Sequence, residues 1–208
     1  MSALERFISR IDLKGIKNII FDFGGVLFEI DYHAPVRAFQ KLGFGNFTEL
    51  YSQGNQDPIF DQLETGKISG EEFLAWLNSH APNIQRSKIL EAWNCILIGL
   101  WNPHAELVKN FQEQGFRTFI FSNTNAIHAP VFEKMVDETY GLEKFQSHFE
   151  KIIYSHELGL RKPHVEAFQK VCTLYNLNPA ETLFIDDSSQ HVEGAGRAGL
   201  RATQFVSA

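Results

Sequence analysis

Apolar positions along this chain change their spacing in blocks. Five short apolar runs have strand length, at residues 18–22, 116–121, 151–154, 182–185 and 201–206. The stretches beside them repeat apolar residues every three or four positions, which predicts helices over 4–10, 103–114, 127–138, 163–175 and 192–198. Pro103 suits a first helical position, and Gly115 and Gly199 stop the helices before them. Strand–helix alternation of this kind predicts an α/β fold, a Rossmann-like doubly wound parallel sheet with helices on both faces.

One block breaks the alternation. After a loosely alternating stretch at 26–31, read as an extended flap, strand signals vanish from about His33 to Asn102. Helical spacing covers 35–42, stopped by Gly43, then 58–64, ending at Gly66, and finally 87–97. Ser69 and Glu72 have capping-box spacing and open a further helix through Phe73, Leu74, Trp76 and Leu77. The pattern predicts a core of residues 1–32 and 103–208, with an all-helical unit, 33–102, inserted after the first strand.

Composition narrows the class. The 208 residues suit one domain with an insertion, and 44% apolar against 21% charged is a globular balance. The 19 phenylalanines are read as core. A net charge of −6 with no basic block argues against a nucleic-acid partner. No apolar run is long enough to span a bilayer, and the first residues lack a signal core, so no membrane association is expected. Cys95 and Cys172 are too few for a disulfide scaffold and fit a reducing, cytoplasmic setting. Neither has metal-ligand spacing.

The candidate chemistry sits where strands end. The first run climbs to Asp22 and breaks into Gly24 and Gly25; the second ends at Ser122-Asn123; the fourth ends at Asp186-Asp187. Lys162 stands just before a helix start. In a parallel sheet these ends point the same way, so the groups converge in one crevice. Carboxylates with a lysine suit a hard divalent cation and a phosphate. Singly, each has an ordinary explanation: turn caps for Asp22 and Ser122, a helix cap for the acidic pair, a solvated surface lysine for Lys162. Their ordered coincidence is what points to a site.

That ordered set resembles the haloacid dehalogenase (HAD) superfamily of hydrolases. The four motifs are Ile20-Phe21-Asp22-Phe23-Gly24-Gly25-Val26, Phe121-Ser122-Asn123, Gly159-Leu160-Arg161-Lys162-Pro163 and Phe184-Ile185-Asp186-Asp187-Ser188. The resemblance makes the inserted unit a helical cap over the crevice. It implies a Mg²⁺-dependent phosphatase acting on a small phosphorylated metabolite through an aspartyl-phosphate. Asp22 is then nucleophile and Mg²⁺ ligand. Ser122, with the backbone amides of Asn123 and Thr124, holds the phosphoryl oxygens, and Lys162 neutralises charge on nucleophile and phosphate. Asp187 and the Gly24 carbonyl ligate Mg²⁺, with Asp186 a ligand or the support behind one. Within the superfamily, Glu64 to Ser69, Ser122 to Asn125 and Val192 to Ala195 look like the bacterial α-D-glucose-1-phosphatases, which implies a sugar phosphate and a monomer or homodimer. Two other readings remain: a metal-free 2-haloacid dehalogenase, and a phosphate-ligand binder without turnover. One position departs from the family, since the second aspartate expected two residues after the nucleophile is Gly24. Glu29, Asp31 and His33 are candidate substitutes for that acid. Without one, esters with good leaving groups, such as anomeric or aryl phosphates, are the expected substrates.

Overall fold

The computed structural model describes residues 2–45, 47–51 and 57–206. Five of its strands build one sheet: β1 (Asn18–Phe21), β4 (Arg117–Ser122), β5 (Lys151–Tyr154), β6 (Thr182–Asp186) and β7 (Arg201–Gln204). Their order is β5-β4-β1-β6-β7, and every neighbouring pair is parallel. Parallel pairing requires covered crossovers, so both faces are buried. The period of two divides the side chains between them: Ile19, Phe21, Ile120, Leu183 and Ile185 enter one core, while Ile20, Phe119, Phe121 and Phe184 enter the other.

The first face is covered by α1 (Ala3–Ile8), α7 (Asn102–Glu113), α8 (His128–Tyr140) and the short α9 (Leu142–Gln146). The second is covered by α11 (Val165–Leu174) and α12 (Ser189–Arg197). One-turn α10 (Ser155–Leu158) follows β5. Phenylalanines fill both cores, and each fully buried one stabilises the fold by about 1.5–3 kcal/mol.

The inserted unit contains α2 (Ala34–Lys41), α3 (Phe47–Leu50), α4 (Pro58–Glu64), α5 (Gly70–His80) and α6 (Arg86–Asn94). It has its own core of Phe39, Phe47, Phe60, Phe73, Leu77 and Trp93, with Phe39 and Phe47 stacked at 4.1 Å. The expected capping box opens α5: Glu72 N–H donates to Ser69 Oγ, and Ser69 N–H to the Glu72 carboxylate. The unit is not wholly helical. The helix expected over 87–97 ends at Asn94, and β3 (Leu97–Leu100) pairs antiparallel with the flap strand β2 (Phe28–Ile30). Backbone pairing with residues seventy positions earlier overrides helical spacing at Leu97. This two-stranded ribbon joins the inserted unit to the sheet.

Two glycines let the inserted unit dock. Gly66 has φ +65°, and a Cβ there would collide with the His156 carbonyl oxygen on α10. Gly70 faces Ile127, whose Cγ1 would lie 2.8 Å from a Cβ. Among the described residues no helix is long and apolar enough to cross a membrane.

Candidate active site

The carboxyl ends of β1, β4 and β6 deliver the site. Asp22 follows β1 directly, and its N–H still pairs with Ile185 O at 2.8 Å, so it is held as rigidly as the strand. Its Oδ1 accepts from the Phe23 N–H at 2.7 Å. Lys162 Nζ lies 2.8 Å from that same Oδ1 and 2.6 Å from Asp186 Oδ2. Lys162 is fully buried, between the ring faces of Phe121 and Phe184 at 5.6 and 5.3 Å. A buried ammonium is stable only when paired, and here it is paired twice.

The charges set one another. Burial works against the Lys162 ammonium, but Asp186 and Asp22 outweigh it and hold its pKa above the usual lysine value. Burial raises Asp22 well above the carboxylate range, Asp186 adds repulsion, and Lys162 opposes both. Burial also opposes the Asp186 charge, yet Lys162 and His191 hold its pKa well below the usual range. Asp187 is pushed up to about 6 by burial and by Asp186.

The loop carrying Lys162 is clamped by Asn123 at the end of β4. Asn123 Nδ2 donates to Lys162 O, and Lys162 N–H donates to Asn123 Oδ1, both at 2.9 Å. Ser122 Oγ has only a long 3.5 Å contact to Asn123 O and is available to a ligand. The Thr124 amide differs from expectation: it donates to Ser155 Oγ at 3.0 Å, and Ser155 donates back to Thr124 O. That N–H is already satisfied by the first turn of α10, so it is no open phosphate donor.

Asp186 is fully occupied. Its Oδ2 takes the lysine, its Oδ1 accepts the Ser188 N–H at 2.8 Å, and His191 Nδ1 lies 3.0 Å from both oxygens. Asp22, Asp186 and His191 each offer an atom within 4.8 Å of the others. The Asp187 carboxylate lies over Gly25 (φ +75°), where a Cβ would strike it; only glycine leaves that room. Gly24 borders the same space. Buried carboxylate oxygens beside a glycine turn form a donor set that fits a hard cation.

Sequence reasoning missed several residues. The crevice is a cavity of about 430 Å³, and the inserted unit and its hinge contribute Tyr32, Tyr51, Glu64 and Trp93 to its wall. Arg161, beside Lys162, crosses to this wall: it pairs with Asp61, and its Nε lies 3.1 Å from Glu64 Oε2. His128 joins the two halves, with Nδ1 3.1 Å from Asn125 Nδ2, Nε2 3.2 Å from Trp93 O, and its ring stacked on Trp93 at 4.9 Å. Burial pushes His128 down to about 4, so it is neutral. The signal available for His191 was its place one turn into the helix after the acidic pair. Glu29, Asp31 and His33 do not line the crevice; Asp31 is half-buried and paired with Arg37.

A family model described as haloacid dehalogenase-like hydrolase matches residues 16–199. The chain is 31% identical over 196 residues to a D-ribitol-5-phosphate phosphatase of Bacteroides thetaiotaomicron, covering 91% of each chain. It is 27% identical over 197 residues to a sesquiterpene phosphatase of Aspergillus oryzae, again covering 91% of each. A HAD family enzyme from Bacteroides thetaiotaomicron, solved as a variant with magnesium and inorganic phosphate, superposes with a TM-score of 0.83. That enzyme is 31% identical, with 92% of this chain and 95% of the other covered.

Proposed function

The chain belongs to the haloacid dehalogenase-like hydrolases, and we propose that it is a Mg²⁺-dependent phosphatase of small phosphorylated polyols or sugars, working through an aspartyl-phosphate on Asp22. The observation that carries this reading is the buried lysine bridging Asp22 and Asp186, with a serine hydroxyl that lines the same cavity at the end of the adjacent strand and makes only a long 3.5 Å contact. Such a set binds a tetrahedral dianion beside a carboxylate nucleophile.

Asp22 attacks phosphorus and the ester oxygen leaves, so the phosphoryl group passes to the carboxylate. Water then attacks that phosphorus, releasing inorganic phosphate and restoring Asp22. Ser122 Oγ donates to a phosphoryl oxygen. Lys162 neutralises charge on Asp22 and on the phosphate, and the Asn123 clamp fixes where its ammonium stands. The carboxylates of Asp22 and Asp187 and the Gly24 carbonyl are the groups that would hold Mg²⁺; Asp186 orients Lys162 instead, since both its oxygens are occupied. When bound, Mg²⁺ neutralises the phosphate and positions it for in-line attack. The acidic pair disfavours a metal-free dehalogenase, whose carboxylate substrate it would repel.

The substrate class follows from the wall. Glu64, Asn125 and Gln190 offer polar groups beside Tyr32 and Trp93, which suits a hydroxylated chain better than a terpene. The inserted unit, residues 33–102, acts as the cap that closes over the ester. Two free cysteines suit a cytoplasmic setting. Phosphate release from ribitol 5-phosphate, glucose 1-phosphate and 4-nitrophenyl phosphate, with Mg²⁺ and with chelator, tests the reading. Turnover of at least one ester only with Mg²⁺ is expected. No turnover of any ester, or full activity in chelator, overturns it.

A further inference from the structure

The glycine at position 24 leaves the crevice without the carboxyl group that would protonate the departing oxygen. Among the described residues three carboxyl groups line the cavity: Asp22, Asp187 and Glu64. Asp22 is the nucleophile, and Asp187 lies over the Gly25 turn. Glu64, the last residue of α4, remains. We propose that Glu64, carried by the cap, is the general acid–base of the reaction, standing in for the group that Gly24 lacks. This inference rests on the phosphatase reading.

The geometry of Glu64 supports it. Its Oε2 is shielded from solvent and makes no hydrogen bond. Arg161 Nε is 3.1 Å away, but it too is without a hydrogen bond, so its N–H is not aimed at the carboxylate. Asp61 takes the other arm of that guanidinium. An unsatisfied carboxyl oxygen inside a substrate cavity has a partner to gain when substrate enters. Burial pushes the Glu64 pKa up to about 7, while Lys162 and the Arg161 guanidinium 3.1 Å away favour its charged form. A carboxyl near neutrality can give a proton in one half-reaction and take one in the next.

The other titratable groups of the cavity are excluded. His128 is neutral with both ring nitrogens bonded, and His191 is tied to Asp186. Burial raises both Tyr51 and Tyr32 well above the usual phenol value, so neither releases a proton readily. Arg161 and Tyr51 face Glu64 from the core loop and the cap.

The step balances. As Asp22 bonds to phosphorus and the P–O bond to the alcohol breaks, the Glu64 proton passes to the leaving oxygen, giving the free alcohol. The Glu64 carboxylate then takes a proton from the water that attacks the aspartyl-phosphate. Phosphate and Asp22 are released, and Glu64 is protonated again. Because Glu64 ends two residues before the Gly66 contact with His156, docking of the cap sets the position of the acid.

The test is kcat/KM for the wild type and Glu64→Gln, measured with Mg²⁺ across esters from primary alkyl to 4-nitrophenyl phosphate. The wild type is expected to depend weakly on leaving-group acidity. Glu64→Gln is expected to lose roughly 10²–10⁴-fold on alkyl esters and far less on the aryl ester. Restoring a carboxyl by Gly24→Asp in the Glu64→Gln background is expected to recover alkyl turnover; the added Cβ meets only the flexible end of Ile30, at 2.8 Å. An equal loss on every ester, or no loss, overturns the proposal. A steep leaving-group dependence in the wild type overturns it without any variant. Failure of the phosphatase reading is distinct, since the wild type then turns over no ester at all.

Discussion

Replacing Asp22 with asparagine should abolish turnover and, without metal, make the protein more stable. The site buries the carboxylates of Asp22 and Asp186, with the half-buried Asp187 beside them, against the single ammonium of Lys162. At an effective dielectric near 20, losing the Asp22–Lys162 attraction at 2.8 Å costs about 6 kcal/mol. Removing the Asp22–Asp186 repulsion, over no more than 4.8 Å, returns about 3.5 kcal/mol or more. Removing a buried charge returns several kcal/mol of desolvation as well. Lys162 keeps Asp186, so no ammonium is stranded. The balance favours Asp22→Asn by about 1–3 kcal/mol, or roughly 2–4 °C of Tm per kcal/mol for a domain of this size. Thermal melts in chelator read that gain. Melts in excess Mg²⁺ should narrow or reverse it, because the wild type gains more from the ion, about 2.7 kcal/mol at a hundredfold excess over Kd. A phosphate-release assay on the same samples completes the test. A lower Tm for the variant in chelator would refute the electrostatic reasoning, and retained turnover would remove Asp22 from the mechanism.

Asp187→Ala should raise the Mg²⁺ requirement or end activity, because it removes one carboxylate from a sparse hard-cation site; an unchanged Mg²⁺ titration of activity counts against its role. His128 makes stability fall with acid. Its folded pKa is about 4 against 6.5 ordinarily, so the unfolded state takes up the proton first as pH drops, and up to about 3 kcal/mol is lost between pH 6.5 and 4. Urea unfolding at pH 7 and 4.5 should show a smaller loss for His128→Gln than for the wild type; equal losses refute the assignment. Asn123→Ala removes both bonds that clamp the Lys162 loop and should destabilise by about 1–3 kcal/mol while lowering kcat; a variant with wild-type kcat would show that the clamp does not position the lysine. Hydrogen exchange with a tight phosphate analogue should increase protection in α4 and α5 as the cap closes, with hinges near residues 29–33 and 100–103; unchanged protection there argues against a moving cap.

The parallel sheet was legible because its cause is local. Runs such as Ile19-Ile20-Phe21 and Phe119-Ile120-Phe121 are apolar on both faces, and only a strand covered on both sides buries them fully. The strand ends carrying Asp22, Ser122 and the acidic pair were legible for the same reason, as was the Ser69–Glu72 cap of α5. Short α3, α9 and α10 were not, since four- and five-residue helices have little stability of their own and form only where tertiary packing holds them. Strand β3 was hidden because its partner, Phe28–Ile30, is distant in sequence. The same limit governed the acid. Glu29, Asp31 and His33 drew attention by lying near Asp22 along the chain, yet the flap carries them away from the crevice, and docking of Gly66 on α10 brings Glu64 in from forty residues downstream. Likewise, Thr124 reads as an open loop amide until α10 folds against it and Ser155 Oγ accepts its hydrogen bond. Periodicity and motif order encode which strands form and what chemistry they end in. Which side chains share the cavity depends on how the cap packs on the sheet, and those contacts join residues whose spacing along the chain carries no trace of the pairing.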